Sequence, residues 1–187
     1  MLTQRTIREV EAGFASAVVT AMGEEGDLVA IRLARGCRCF AAWSGEEVLA
    51  YGWLSSGPEW IGELGREIRP AAGEAYLWNC LTLDPHRRQG RFREIVLAIA
   101  SSARKEGITR LWIGTIGDLG VRTLPEIGFT PVLCFAVQNL PWIRYLRVWP
   151  AEEADARLVE AARSALRADG RPLLGGSVLG RHGRRRH

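Results

Sequence analysis

Lysine is nearly missing from this chain. Lys105 is the only one among 25 basic residues. A phosphate-binding P-loop needs G-x-x-x-x-G-K-[ST], and the surroundings of Lys105 do not supply it. Long apolar runs are missing too. No clean one is longer than "IVLAIA", residues 95–100, far below the roughly 18 residues that span a bilayer. The first residues, "MLTQRTIREVE", carry charges where a secretory signal has its apolar stretch. The expectation is a cytoplasmic protein with no membrane partner. The four cysteines form no C-x-x-C pair, and His86, His182 and His187 are not spaced to complete a zinc site. No metal and no structural disulfide are expected. Cys37 and Cys39 lie on one face of a strand, as small buried hydrophobes.

The net charge of +4 comes from the end of the chain. Residues 171–187 hold five arginines and no acid, which leaves −1 for the remainder. That tail is read as a disordered, solubilising end, in preference to a nucleic-acid contact.

At 187 residues, 47% of them hydrophobic, the chain suits one domain with a substantial core. Ile7, Val10, Phe14, Val18 and Met22 recur at helical spacing and predict a helix over 3–22. "DLVAIRLARG" and "CRCFAAW" read as strands, and "VLAYGWLS" as the return of a hairpin. Residues 55–73 read as irregular. "AYLWNCLTL", residues 75–83, is apolar nearly throughout and so central. From Arg91 a helix follows, with Phe92, Ile95, Val96, Ile99 and Ala103 on one side, stopped by Gly107. "RLWIGT" is a strand, 118–127 a short Pro-interrupted helix, and "FTPVLCFAV" and "WIRYLRVW" are two more strands. Residues 152–168 form a last helix. The expected fold is α/β, a mixed, mostly antiparallel sheet flanked by helices. Its single parallel crossover runs from 75 to 115. The domain spans 1–150, a C-terminal helix 151–169, and the basic tail 170–187.

The stretch "DPHRRQGRFREIV" holds Arg87, Arg88 and Arg91 between the central strand and a helix. The first N–H groups of a helix are unpaired and carry about half a positive charge. A glycine in the approach lets a ligand come close to the backbone. Two readings stand side by side on the residues alone: a cradle for a phosphate or pyrophosphate, or a solvated loop in an arginine-rich protein. "GTIGDLG", residues 114–120, follows a strand, but its glycine spacing is wrong for a dinucleotide fold.

These residues resemble the GNAT superfamily of acyl-CoA N-acyltransferases. The family's signature is Q/R-x-x-G-x-G/A at a strand-to-helix junction. Arg87, Arg88, Gln89, Gly90, Arg91 and Phe92 fit it with Arg first and Gly90 in the central place. The family's penultimate helix ends in Gly-Phe before a strand, and Gly128-Phe129 stands there. The element order from 28 to about 149 also matches. Three departures stand out. Phe92 replaces the last Gly or Ala. Gly117, Asp118 and Gly120 stand where an Asn and a Ser are frequent. Leu124 occupies the position of a tyrosine used as general acid, and Pro125 follows it.

The resemblance implies transfer of an acetyl or other short acyl group from acyl-CoA, as co-substrate, to a primary amine of a small molecule or peptide. It places the pyrophosphate on the N–H groups of residues 88–92, and the pantetheine along Leu81, Thr82 and Leu83. The amine attacks directly, so no enzyme nucleophile is needed. An alkyl ammonium of pKa near ~10 requires a base. Glu59, Glu63 and Glu74 flank the strand, and Asn79 within it can orient a water. Each of these glutamates also reads as a solvated loop charge, so the catalytic residue stays unassigned. Cys80 can be an acyl acceptor, though a buried strand cysteine is the commoner meaning. Trp53, Trp60 and Trp78 can wall a substrate pocket or fill the core. The alternative is a non-catalytic acyl-CoA sensor or scaffold on the same fold. A homodimer is left open.

Overall fold

The structure, a computed structural model, describes residues 5–116, 118–139 and 144–167. Residues 1–4, Gly117, the link 140–143 between the last two strands, and the basic tail lie outside them.

The chain runs β1 (Arg5–Glu9), α1 (Ala15–Met22), α2 (Leu28–Ala34), β2 (Arg38–Ser44), β3 (Glu47–Ser55), β4 (Glu59–Ile61), β5 (Arg66–Ile68) and β6 (Glu74–Thr82). It continues through α3 (Arg91–Lys105), β7 (Arg110–Ile113), α4 (Asp118–Glu126), β8 (Leu133–Asn139), β9 (Arg144–Pro150) and α5 (Ala156–Ala165). The main sheet has the order β1-β2-β3-β6-β7, with β4-β5 and β8-β9 as separate hairpins. Every neighbouring pair in the main sheet is antiparallel except β6-β7. The expected sheet and its one parallel crossover are therefore present.

Three expectations need correction. Residues 5–9 are not helical but pair with β2, from Arg5↔Ser44 to Glu9↔Phe40. Ile7 then packs on the α3 side of the sheet and Val10 on the α1 side. Arg8 stacks on Phe14 and Trp43. A free strand edge outweighs the helical periodicity there, and the helix starts only at Ala15. "DLVAIRLA" is helix rather than strand, with Val29 buried and Arg32 and Leu33 beside it. A short apolar run carries too little periodicity to separate the two. Residues 55–73 contain the β4-β5 hairpin, whose Ile68 joins Leu64, Tyr76 and Ala165 in a small third core. The last helix is also shorter than expected, with Asp155 accepting N–H bonds from Arg157 and Leu158 as its cap.

Two larger cores lie on the two faces of the sheet. Val18, Met22 and Val29 of α1 and α2 pack on Cys39, Ala41, Trp43, Tyr51 and Trp53. On the opposite face Ile95, Val96, Ile99 and Ala103 of α3 pack on Leu49, Ala50, Leu54, Ala75 and Leu77.

Two irregularities position the site. First, β6 pairs with β7 only over residues 74–77 against 110–113. Buried Glu74 ties the joined end, accepting from Arg110 and, at 2.7 Å, from Trp112 Nε1. Beyond residue 77 the β7-side edge of β6 has no ladder partner among the described residues. Second, β6 carries a bulge. Tyr51 pairs with Leu81 and Trp53 with Trp78, so Asn79 and Cys80 together oppose Gly52.

Candidate functional site

β6 gives way to α3 through a short turn. The Leu83 N–H bonds Leu49 O at 3.0 Å, and Asp84, Pro85 and His86 form one 3-10 turn. Arg88 and Gly90 then take left-handed φ values of 61° and 76°. Two such residues around Gln89 turn successive N–H groups outward, as in anion-binding nests. After the Arg87 N–H, which bonds Asp84 O at 3.3 Å, the next N–H to find a carbonyl is that of Glu94, on Gly90 O at 3.1 Å. Those of residues 88 to 93 have no acceptor among the described residues. A Cβ added at Gly90 meets nothing within 4 Å, so the space over it is open.

The arginines of this doorway differ in use. Arg87 is exposed, 2.7 Å from Asp84, with its Nε 3.4 Å from Thr82 O. Arg88 is exposed. Arg91 turns inward: it is 5% exposed, pairs with Glu94 at 2.6 Å and reaches Gln89 Oε1 at 3.5 Å. Its backbone N–H faces out while its charge serves the fold. Phe92 is half-buried against the α3-side core, and its N–H stays free.

Leu81, Thr82 and Leu83 end β6 beside a cavity of about 690 Å³. Ala17, Thr20 and Ala21 of α1 form one wall of it, and Glu46 and Glu47 of the β2-β3 turn another. His86 Nε2 lies 3.1 Å from Glu47 and fastens the loop to that turn.

The expected catalytic candidates separate clearly. Glu59 is 5% exposed and accepts from Arg35 at 2.8 Å and the Cys37 thiol at 3.1 Å. Glu74 is committed to Arg110 and Trp112. Glu63 is exposed in the β4-β5 turn. Trp60 is 63% exposed, Trp53 is fully buried, and half-buried Trp78 stacks on Tyr76 at 5.9 Å. Leu124 is buried, so no phenol stands at that position. Gly128 has φ 99°, which accounts for glycine in the Gly-Phe pair.

Asn79 is the candidate that the fold brings into company. It sits in the bulge with φ 46°, and its Nδ2 donates to Glu25 Oε2 at 3.0 Å. Arg32 Nη2 donates to the same oxygen at 3.2 Å. Glu25 lies in the turn between α1 and α2. Sequence reasoning missed it, since an acid in "GEEGD" reads as a solvated turn charge. The one local signal is its place between two glycines at a break between helices. Tyr51 lies in the same field: burial pushes its phenol up to about 12, Glu25 adds to the rise and Arg32 opposes it.

Three thiols are held against ionisation. Burial pushes Cys37 up to about 11, with the Glu59 hydrogen bond adding to it, and Cys39 and Cys80 up to about 12. Their ordinary value is 9.0. A raised folded-state pKa gives stability that is fully present below the unfolded value. It is lost as pH climbs through the folded one. The urea midpoint should thus hold up to about pH 9 and fall beyond it. Replacing the three cysteines by alanine should flatten that fall; an unchanged slope would show the thiols are not its source.

The acetyltransferase (GNAT) family model matches residues 11–124. No curated protein matches the sequence. Solved structures share its fold at low identity. An acetyltransferase of Trypanosoma brucei is 13% identical at a TM-score of 0.52, covering 68% of this chain and 93% of that one. A ribosomal-protein-alanine N-acetyltransferase from Brucella melitensis biovar Abortus 2308 is 12% identical at 0.53, covering 68% and 92%. An aminoglycoside N-acetyltransferase, AAC(6')-Iy, solved in complex with CoA, is 13% identical at 0.52, covering 67% and 91%.

Proposed function

The chain belongs to the acetyltransferase (GNAT) family, and from that premise we propose that it moves an acetyl or other short acyl group from acyl-CoA to a primary amine by direct attack. The observation that carries this is the run of free N–H groups at residues 88–93, beside the unpaired edge of β6. The residues present fit the co-substrate. The N–H groups of Arg88, Gln89, Gly90, Arg91 and Phe92 would hold the pyrophosphate, with Arg87 and Arg88 adding charge. The open edge of β6 at Leu81 and Thr82 would offer main-chain groups to the pantetheine amides, whereas Leu83 has already used its N–H on Leu49 O and its carbonyl on the His86 N–H. When bound, acyl-CoA supplies the acyl group as an activated thioester. A β6 N–H beside its carbonyl stabilises the developing oxyanion. Holding amine and thioester together supplies the remaining advantage. Protonated Cys80 has no part in this, in keeping with direct attack.

The acceptor in this reading is a small-molecule or peptide amine, as the names of the aminoglycoside and ribosomal-protein relatives illustrate. The reaction sits in the cytoplasm, where acyl-CoA is made. Among the described residues no helix is long and apolar enough to cross a membrane, and no group of side chains could hold a metal. The buried Leu124 favours a second reading, an acyl-CoA sensor without turnover.

A ligand bound only by the native state raises stability by RT ln(1 + [L]/Kd), about 2.7 kcal/mol at a hundredfold excess over Kd. Coenzyme A should therefore raise the melting temperature by several degrees. No shift with either coenzyme A or acetyl-CoA would remove the reading. A shift without turnover of any amine would favour the sensor.

A further inference from the structure

The face of the sheet opposite α3 carries a second constellation at the level of the bulge. Along β6, Ala75 and Leu77 face α3, and Tyr76 and Trp78 face the other way. Strict alternation would point residue 79 at α3. The bulge instead gives the α3 side to Cys80, which packs there near Gly52. Asn79, left-handed, reaches across to the α1-α2 turn and bonds Glu25.

Both bonds to the Glu25 carboxylate end on Oε2, from Asn79 at 3.0 Å and Arg32 at 3.2 Å. Oε1 has no partner among the described residues, and the side chain is 56% exposed. Arg32 is nearly buried, at 12% exposure, and stacks over Trp53. One oxygen is clamped and the other is offered to solvent beside the strand that would carry the thioester. The other acids close to β6 are spent, Glu59 on Arg35 and Cys37, and Glu74 on Arg110 and Trp112.

Resting on the acyltransferase reading, we propose that Glu25 Oε1 receives the acceptor as an alkylammonium and takes its proton, with Asn79 and Arg32 as positioning residues. The substrate class is thus the alkylamine, charged on arrival, and not the neutral arylamine. The N–H bond breaks toward Oε1 and leaves a neutral amine. Its lone pair forms the C–N bond as the C–S bond breaks. Of the two protons lost from the ammonium nitrogen, one ends on the coenzyme A thiolate and one in water. An amine that is already neutral needs no such base.

The test uses the full chain with acetyl-CoA and two probes, n-propylamine and aniline. General-base loss costs about 10²- to 10⁴-fold. Glu25→Gln should therefore lower kcat/KM for n-propylamine by that much, and for aniline by less than about threefold. Coenzyme A affinity, read by calorimetry, should stay unchanged. Glu25→Asp should restore part of the n-propylamine rate. Asn79→Ala should lose about tenfold with the same selectivity, since it removes one clamp and not the base. Equal loss with both amines, or undiminished n-propylamine turnover, overturns the proposal while leaving acyl transfer intact. If the unmodified chain binds coenzyme A but transfers to neither amine, acyl transfer itself fails and this inference with it.

Discussion

Gly90→Asp should cost at least about 100-fold in coenzyme A affinity, close to 3 kcal/mol. The glycine stands at φ 76° with open space over its Cα, inside the run of free N–H groups. A side chain there fills the space an anion must occupy. A carboxylate adds like-charge opposition, which costs several kcal/mol when a charged ligand is pressed against it. The substitution also carries a backbone cost of roughly 1–2 kcal/mol, because an L-residue enters the left-handed region. Gly107→Asp separates the two effects. Gly107 has φ 83°, equally open space, and lies at the far end of α3. It carries the strain and the charge without the site. Calorimetry should find its coenzyme A affinity within about twofold of the parent. Equal losses in both variants would mean that strain, not the cradle, weakens binding. Full affinity in a folded Gly90→Asp chain would leave the doorway a solvated charge run.

The doorway was legible because its parts are local. β6 is apolar at most positions, α3 has a clear amphipathic period, and the residues between them are contiguous. What stayed hidden depends on partners far away in sequence. β1 looks helical until β2 offers an edge, some thirty positions on. Glu25 looks like a turn charge until a bulge 54 residues later sends Asn79 across to it. The bulge has no glycine or proline to announce it on β6 itself. Its local mark is on the neighbouring strand, at Gly52, where the hairpin periodicity alone gave no reason to stop.

That glycine sets up the second large effect, on the fold itself. A Cβ at Gly52 would stand 2.8 Å from Cys80 Sγ and 3.0 Å from both Ile95 Cγ2 and Ile99 Cδ1. None of these is the loose end of a long side chain. Ile95 and Ile99 are fully buried and hold α3 to the sheet. Gly52→Ala should therefore cost about 2–3 kcal/mol, the upper range for overpacking, out of a total of about 5–15 for a domain. The urea midpoint should fall while the slope stays the same. Cys80→Ala removes the nearest of the three contacts. The double variant should recover about 1 kcal/mol relative to additivity, the coupling expected of residues in contact. Full recovery is not expected, since the two isoleucines remain. The strain has one soft outlet. Cys80 shares the bulge with Asn79, so relief of the clash moves Asn79 off Glu25 Oε2. Gly52→Ala should then lose n-propylamine turnover even where it remains folded, while coenzyme A still binds at the N–H groups of residues 88–92. An unchanged urea midpoint in Gly52→Ala would mean that α3 does not rest on this glycine and that the bulge is held by something else.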